Sequence, residues 1–153
     1  PARRKGRLSK IIDHAGGFSA GSALAQARAN LEALQPRSAA EVADRITELA
    51  AITPPEQPEQ TTAVLGVAYR AANGVIDCAG PFGMDDLCAV ALGLCDLIDA
   101  ASPERPFDWR VLPVHAQSMQ LLLALSDNAE GRRKVRESLE QMVSRKLAPP
   151  DQA

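Results

Sequence analysis

At 153 residues, 46% of them hydrophobic, the chain is long enough to bury a core of its own, which excludes a wholly disordered polymer. A formal net charge of −2 argues against nucleic acid as the main ligand, because phosphate binding draws on a clear basic excess, and 3% aromatic content leaves little to stack on bases or sugars. No run approaches the roughly 20 apolar residues of a membrane-spanning helix, and the Arg-rich start leads into no signal-like apolar core, so a cytoplasmic protein without a membrane partner is expected.

Residues 1–17 carry Arg3, Arg4, Lys5, Arg7 and Lys10, then Ile11, Ile12 and Gly16-Gly17. They read as a basic N-terminal tail, solvated or serving as a docking arm. A single helical domain is expected over 18–147. Its first helix starts near Ser19 or Ser22, either of which can cap it, and runs to about Gln35 with Leu24, Ala27, Leu31 and Leu34 on one apolar face. Pro36 is expected to end it. Ser38-Ala39-Ala40-Glu41 then has capping-box spacing and opens a second helix with Val42, Ile46, Leu49 and Ile52 inward, so 19–52 reads as an antiparallel hairpin. The span from Thr53 to Gln60 holds three prolines and reads as a linker.

A third helix is predicted from Thr61 to Ala79, with Val64, Leu65, Ala68, Ala72, Val75, Ile76 and Ala79 inward. Gly66, Arg70, Asn73 and Asp77 form the opposite stripe. Gly74 costs helix stability of about 1 kcal/mol relative to Ala, which suggests that another surface approaches there. Gly80-Pro81-Phe82-Gly83 should break the helix, with Phe82 turned inward as an anchor. Asp85 or Asp86 then caps a fourth helix to about Ala101. That helix is apolar around so much of its circumference, through Leu87, Val90, Ala91, Leu94, Leu97 and Ile98, that it should be the buried central one.

After a loop at Ser102–Pro106, Asp108 is placed to cap a fifth helix to about Leu125 carrying Val111, Val114, Met119, Leu122 and Leu123. Pro113 either kinks its first turn or marks a start near residue 112. Asp127-Asn128-Ala129-Glu130 has capping-box spacing and opens a sixth helix with Val135, Leu139, Met142 and Val143 inward and Arg132, Arg133, Lys134, Arg136, Arg145 and Lys146 outward. Residues 148–153 form a C-terminal tail. The class is all-α, with no credible strand.

Little here offers a reactive centre. Cys78, Cys88 and Cys95 form neither a disulfide framework nor a zinc spacing and read as reduced packing residues. His115 sits on a mostly apolar helix and reads as a packed histidine, while His14 lies beside Gly16-Gly17 with no assignable role. Asp85-Asp86 is explained by capping. No metal, cofactor or catalytic group is expected.

Around Tyr69–Gly83 the sequence resembles histidine-containing phosphotransfer (Hpt) domains, which present His-x-x-Lys-Gly midway along a helix of a four-helix bundle and often run on to a Thr-Phe-Gly-like turn. The match is anchored on Pro81-Phe82-Gly83, continues through Leu87–Ile98 and Val114–Met119, and covers roughly residues 60–145. It implies a four-helix core over 61–147, with the hairpin added in front. In this register the family's histidine falls on Asn73, its lysine on Ile76 and its glycine on Asp77. An amide offers no nucleophilic nitrogen comparable to imidazole, and losing the lysine removes a cation that would balance phosphoryl charge. The stretch Ala27–Leu34 also resembles the small alphaproteobacterial chemotaxis-operon proteins labelled CheE.

The resemblance implies a degenerate platform: a non-enzymatic adaptor that binds response-regulator receiver domains through Gly66, Arg70, Asn73, Gly74 and Asp77, supported by the turn Gly80, Pro81, Phe82 and Gly83. Two other readings stay open. One is an active phosphotransfer protein using His115 or His14; the other is a structural helical module that dimerises through the 19–52 hairpin.

Overall fold

The computed structural model describes residues 19–149, and every regular element among them is helical. Five α-helices follow in order: α1 (Ala20–Ala50), α2 (Thr61–Ala79), α3 (Asp85–Asp99), α4 (Val111–Ala124) and α5 (Ala129–Leu147). Short 3₁₀ turns at Pro58–Gln60 and Gly80–Phe82 lead into and out of α2. No described helix is long and apolar enough to cross a membrane. The basic tail, His14 and residues 150–153 lie outside the described residues.

The hairpin expected over 19–52 is corrected to one helix. Ser19 caps its start, accepting the Ser22 N–H at 3.1 Å, but the helix does not stop at Pro36, which lies inside it. Proline deletes one backbone donor and one ladder bond. With the helix continuing past Pro36, Ser38 lies in its interior, on one buried line with Val42, Ile46 and Leu49. Ser38 is therefore not a helix cap. It is 4% exposed, and its hydroxyl donates to the Cys78 carbonyl at 2.8 Å. That carbonyl belongs to the last turn of α2, where the helix supplies no internal partner.

Compact packing divides the chain at Pro36, into residues 1–36 and 37–153, and not at the 53–60 linker. In the first unit the described residues are those of α1 through Pro36. Leu24, Leu31 and Leu34 of the expected apolar face are exposed there at 57%, 43% and 50%. The second unit holds the core, built from Val42, Ile46 and Leu49 of α1, Ala68, Ala72 and Val75 of α2, Leu87 and Leu94 of α3, Leu112, Met119 and Leu122 of α4, and Leu139 of α5. As its composition implied, α3 is the central helix and packs against α2, α4 and α5.

The remaining ends follow local chemistry. Gly83 closes the turn after α2 at φ 68°, a left-handed conformation that glycine adopts without steric cost. Met84 reaches the core from this turn, while Phe82 is half-buried and does not serve as the expected anchor. Pro113 falls in the first turn of α4, where its missing N–H is not needed. Val114 is exposed because His115 and Ala116 take the inward positions. Asn128, one residue later than expected, caps α5 by accepting the Gly131 N–H at 2.8 Å. At the far end Arg105 donates to the Leu147 and Ala148 carbonyls at 3.2 Å each, placing a cation where the helix dipole favours one.

Candidate functional site

The site expected from sequence is one face of α2. The 3.6-residue period puts Ala68, Ala72, Val75 and Ala79 into the core and leaves Gly66, Arg70, Asn73 and Asp77 on the far side. Arg70 and Asp77 are exposed; Asn73 and Gly66 are half-buried. Ile76, where an Hpt domain would carry lysine, is half-buried and packs against the core. The four stripe residues therefore do share a face. Exposed Val67 borders it with apolar area.

Gly74 belongs to the edge of that face, and what approaches it is part of the same chain. A Cβ placed there would lie 3.1 Å from Arg45 Cδ and 3.4 Å from Arg45 Nε, so the arginine stem of α1 lies across the glycine. Arg45 in turn donates to both oxygens of Glu48, at 3.0 and 3.2 Å. The Glu48 hydrogen bond and its charge hold the guanidinium pKa above its ordinary value. Another surface does approach Gly74, and among the described residues it is that of α1. The pair Arg45 and Glu48 joins the flank of the face, and sequence reading missed it. Its signal was a cation and an anion three residues apart between the buried Val42, Ile46 and Leu49 positions.

The acidic pair at the start of α3 is corrected from the expected cap: Met84 holds the cap position without a side-chain cap hydrogen bond, and Asp85 and Asp86 lie in the first turn. Asp86 receives the Arg132 guanidinium in a two-point contact at 2.6 and 2.7 Å and the Leu87 N–H at 2.9 Å. Burial pushes its carboxyl up, but these donors and the arginine charge outweigh that and hold it below the ordinary carboxylate range. This ties α5 to α3 with side chains only 23% and 16% exposed. A second tie joins Asp108 to Arg110 at 2.8 Å and Lys146 at 2.6 Å, and these two cations hold the Asp108 carboxyl well below its usual range. Most of the basic residues assigned to the outside of α5 are thus already engaged, since Arg133, Lys134 and Arg136 also face Glu137, Glu130 and Glu140.

The groups with nucleophilic potential are packed. Cys95 is buried, and burial together with Asp99 and Asp96 pushes its thiol up to about 11. Burial, then Asp85 and Asp86, also raises Cys88. His115 is wholly buried, with Nδ1 2.8 Å from the Val111 carbonyl. Burial lowers its pKa, and that hydrogen bond offsets only part of the effect. A wholly buried imidazole is not presented to a phosphorylated partner protein. Among the described residues no three His, Cys, Asp or Glu side chains gather into a possible metal site. Comparison with family models, curated proteins and solved structures returns no match.

Proposed function

We propose that this chain is a non-catalytic, Hpt-like signalling adaptor of the cytoplasm that docks response-regulator receiver domains on the outer face of α2. One observation supports the reading above others. Asn73 stands half-exposed midway along α2, between exposed Arg70 and Asp77 and opposite the buried Ala72 and Val75. That is the position of the phosphorylatable histidine in the resemblance, filled here by an amide that cannot carry a phosphoryl group by the same route. Arg70 and Arg45 set against Asp77 and Glu48 give the face a mixed charge pattern, which favours specificity over indiscriminate anion binding. A protein of this kind competes for receivers without relaying phosphate, in two-component or chemotaxis signalling.

The test is titration of purified receiver domains against the full chain. At least one should bind with a Kd of tens of micromolar, and Asn73→Arg, which places a long cation at the centre of the face, should weaken it by about tenfold or more. No binding by any receiver, or unchanged binding by the variant, sinks the proposal.

A second reading, a helical module that self-associates through α1, is favoured by the exposed Leu24, Leu31 and Leu34. It expects a concentration-dependent dimer in sedimentation that Leu31→Glu abolishes; a wild-type monomer at all concentrations rules it out.

A further inference from the structure

The bundle contains a groove that the α2 face does not use. It lies between α3, α4 and α5, has a volume of about 360 Å³, and is lined mainly by apolar groups, among them Val90, Leu92, Leu139 and Val143. This is within the size range of pockets that take small organic ligands. Leu92 forms an exposed apolar lip, 54% accessible. Gly93 lets α3 and α5 come close beside the groove, since a Cβ there would be 3.2 Å from a Val143 methyl.

Two residues of the lining carry a buried polar atom with no protein partner. His115 contributes to the wall although the residue is 0% exposed. Its Nδ1 is turned back on its own helix against the Val111 carbonyl. A carbonyl oxygen can only accept, so the ring proton sits on Nδ1 and Nε2 carries a bare lone pair on the opposite edge of the ring. That Nε2 is unpartnered. Arg136 Nε is the second: it lies 3.1 Å from a Glu140 oxygen but without the alignment of a hydrogen bond. An orphan acceptor and an orphan donor in one largely apolar groove each cost free energy until paired.

We infer that this groove binds a small uncharged molecule, apolar over most of its surface, that carries a hydroxyl group. One hydroxyl donates its hydrogen to His115 Nε2 and can offer its oxygen to Arg136. Burial keeps the imidazole neutral, so the lone pair persists at neutral pH. Charged ligands fit less well: the Arg136 charge already faces Glu140, and Asp96 and Glu140 on the lining repel an anion, while the apolar walls give an ammonium no counterion beyond the rim. The inference rests on α3–α5 alone and is independent of receiver docking.

The probe is p-cresol on the full chain, compared with 4-methylanisole, which has the same ring and methyl group but no O–H. Binding is followed by the ¹⁵N resonances of the His115 ring. p-Cresol should bind at least about tenfold more tightly than the ether, because only it satisfies the buried acceptor. The Nε2 resonance should move and the Nδ1 resonance stay nearly fixed. His115→Leu should erase the preference, and Ala89→Trp, which adds an indole to the lining of the groove, should remove binding of both. If His115→Leu does not fold, the wild-type comparison decides alone. Equal binding of the two probes, an unmoved Nε2 signal, or no p-cresol binding up to about 10 mM overturns the inference.

Discussion

Ser38 distinguishes the continuous α1 from the hairpin that its neighbours suggest, and two substitutions there have opposite meanings in the two arrangements. In the structure its hydroxyl is the partner of the Cys78 carbonyl at 2.8 Å, at a site 4% exposed. Ser38→Ala leaves that carbonyl unpaired, a loss of about 1–2 kcal/mol, offset by the better helix propensity of alanine, about 0.5 kcal/mol. The net loss is about 1 kcal/mol. Ser38→Asp is the sharper change. It sets a carboxylate against a carbonyl oxygen in a site closed to water, with no cation assigned to it, and should cost at least about 3 kcal/mol. If Ser38 instead capped a separate helix, aspartate would replace it with a change within about 0.5 kcal/mol. Urea unfolding followed by circular dichroism reads the difference. For a protein of this size, 3 kcal/mol corresponds to a melting temperature lower by roughly 6–12 °C. Acidification should recover part of the loss as the introduced carboxyl takes a proton. A Ser38→Asp variant as stable as the wild type refutes the seating of α1 on the end of α2.

The Asp86–Arg132 contact makes a pH prediction. A carboxyl whose folded pKa is depressed contributes stability above its unfolded value, near 3.8, and that stability is lost as pH falls through the folded value. Asp108 acts in the same direction. Wild-type stability should therefore decline below about pH 4, and Asp86→Asn should flatten that decline, while Arg132→Met should cost about 2 kcal/mol at neutral pH; equal acid slopes in wild type and Asp86→Asn would show that the pair is not formed. His115 acts in a higher window. Its folded pKa lies below its ordinary 6.5 because of burial, so stability should start to fall as pH drops below about 6.5, and His115→Gln should remove that slope between pH 6.5 and 5. Gly74→Ala sets a helix gain of about 1 kcal/mol against displacement of a half-exposed Arg45 stem 3.1 Å away. A small net stabilisation is expected, and a loss beyond about 1 kcal/mol would show the stem to be locked in place.

Much of the fold was legible because the helices announce themselves by period. The bounds of α2 follow from the prolines before it and the Gly-Pro-Phe-Gly turn after it, and the central place of α3 follows from a circumference that is apolar almost throughout. Residue 36 is where local reading fails. A proline followed two residues later by a serine and then a glutamate is a strong signature for one helix ending and another beginning. It is overridden by a tertiary contact, the Ser38 hydroxyl on the Cys78 carbonyl forty residues away, which no window around Pro36 contains. The same limit applies to Asp86, whose partner Arg132 lies 46 residues on. Side-chain type shows that each can cap, not which distant group claims it.

The α2 face divides along the same line. Periodicity alone places Arg70, Asn73 and Asp77 together, because those positions are fixed by one helix. Gly74 lies nearer the edge, and its neighbour is set by how α1 crosses α2, so the glycine's small volume was visible in the sequence and its use was not. This bears directly on what the face can do. With Arg45 over Gly74, the approachable part of α2 is narrower than five positions and centres on Asn73, with Arg70 and Asp77 one turn to either side. A partner that docks there meets a cation and an anion flanking a neutral amide, and the amide can both donate and accept hydrogen bonds while adding no charge. An amide at position 73 offers no imidazole nucleophile, so a receiver docking as proposed would meet hydrogen-bonding capacity without a phosphoryl acceptor. Under the proposed function, receiver docking would centre on Asn73, with the Arg45 stem bounding the face on the Gly74 side.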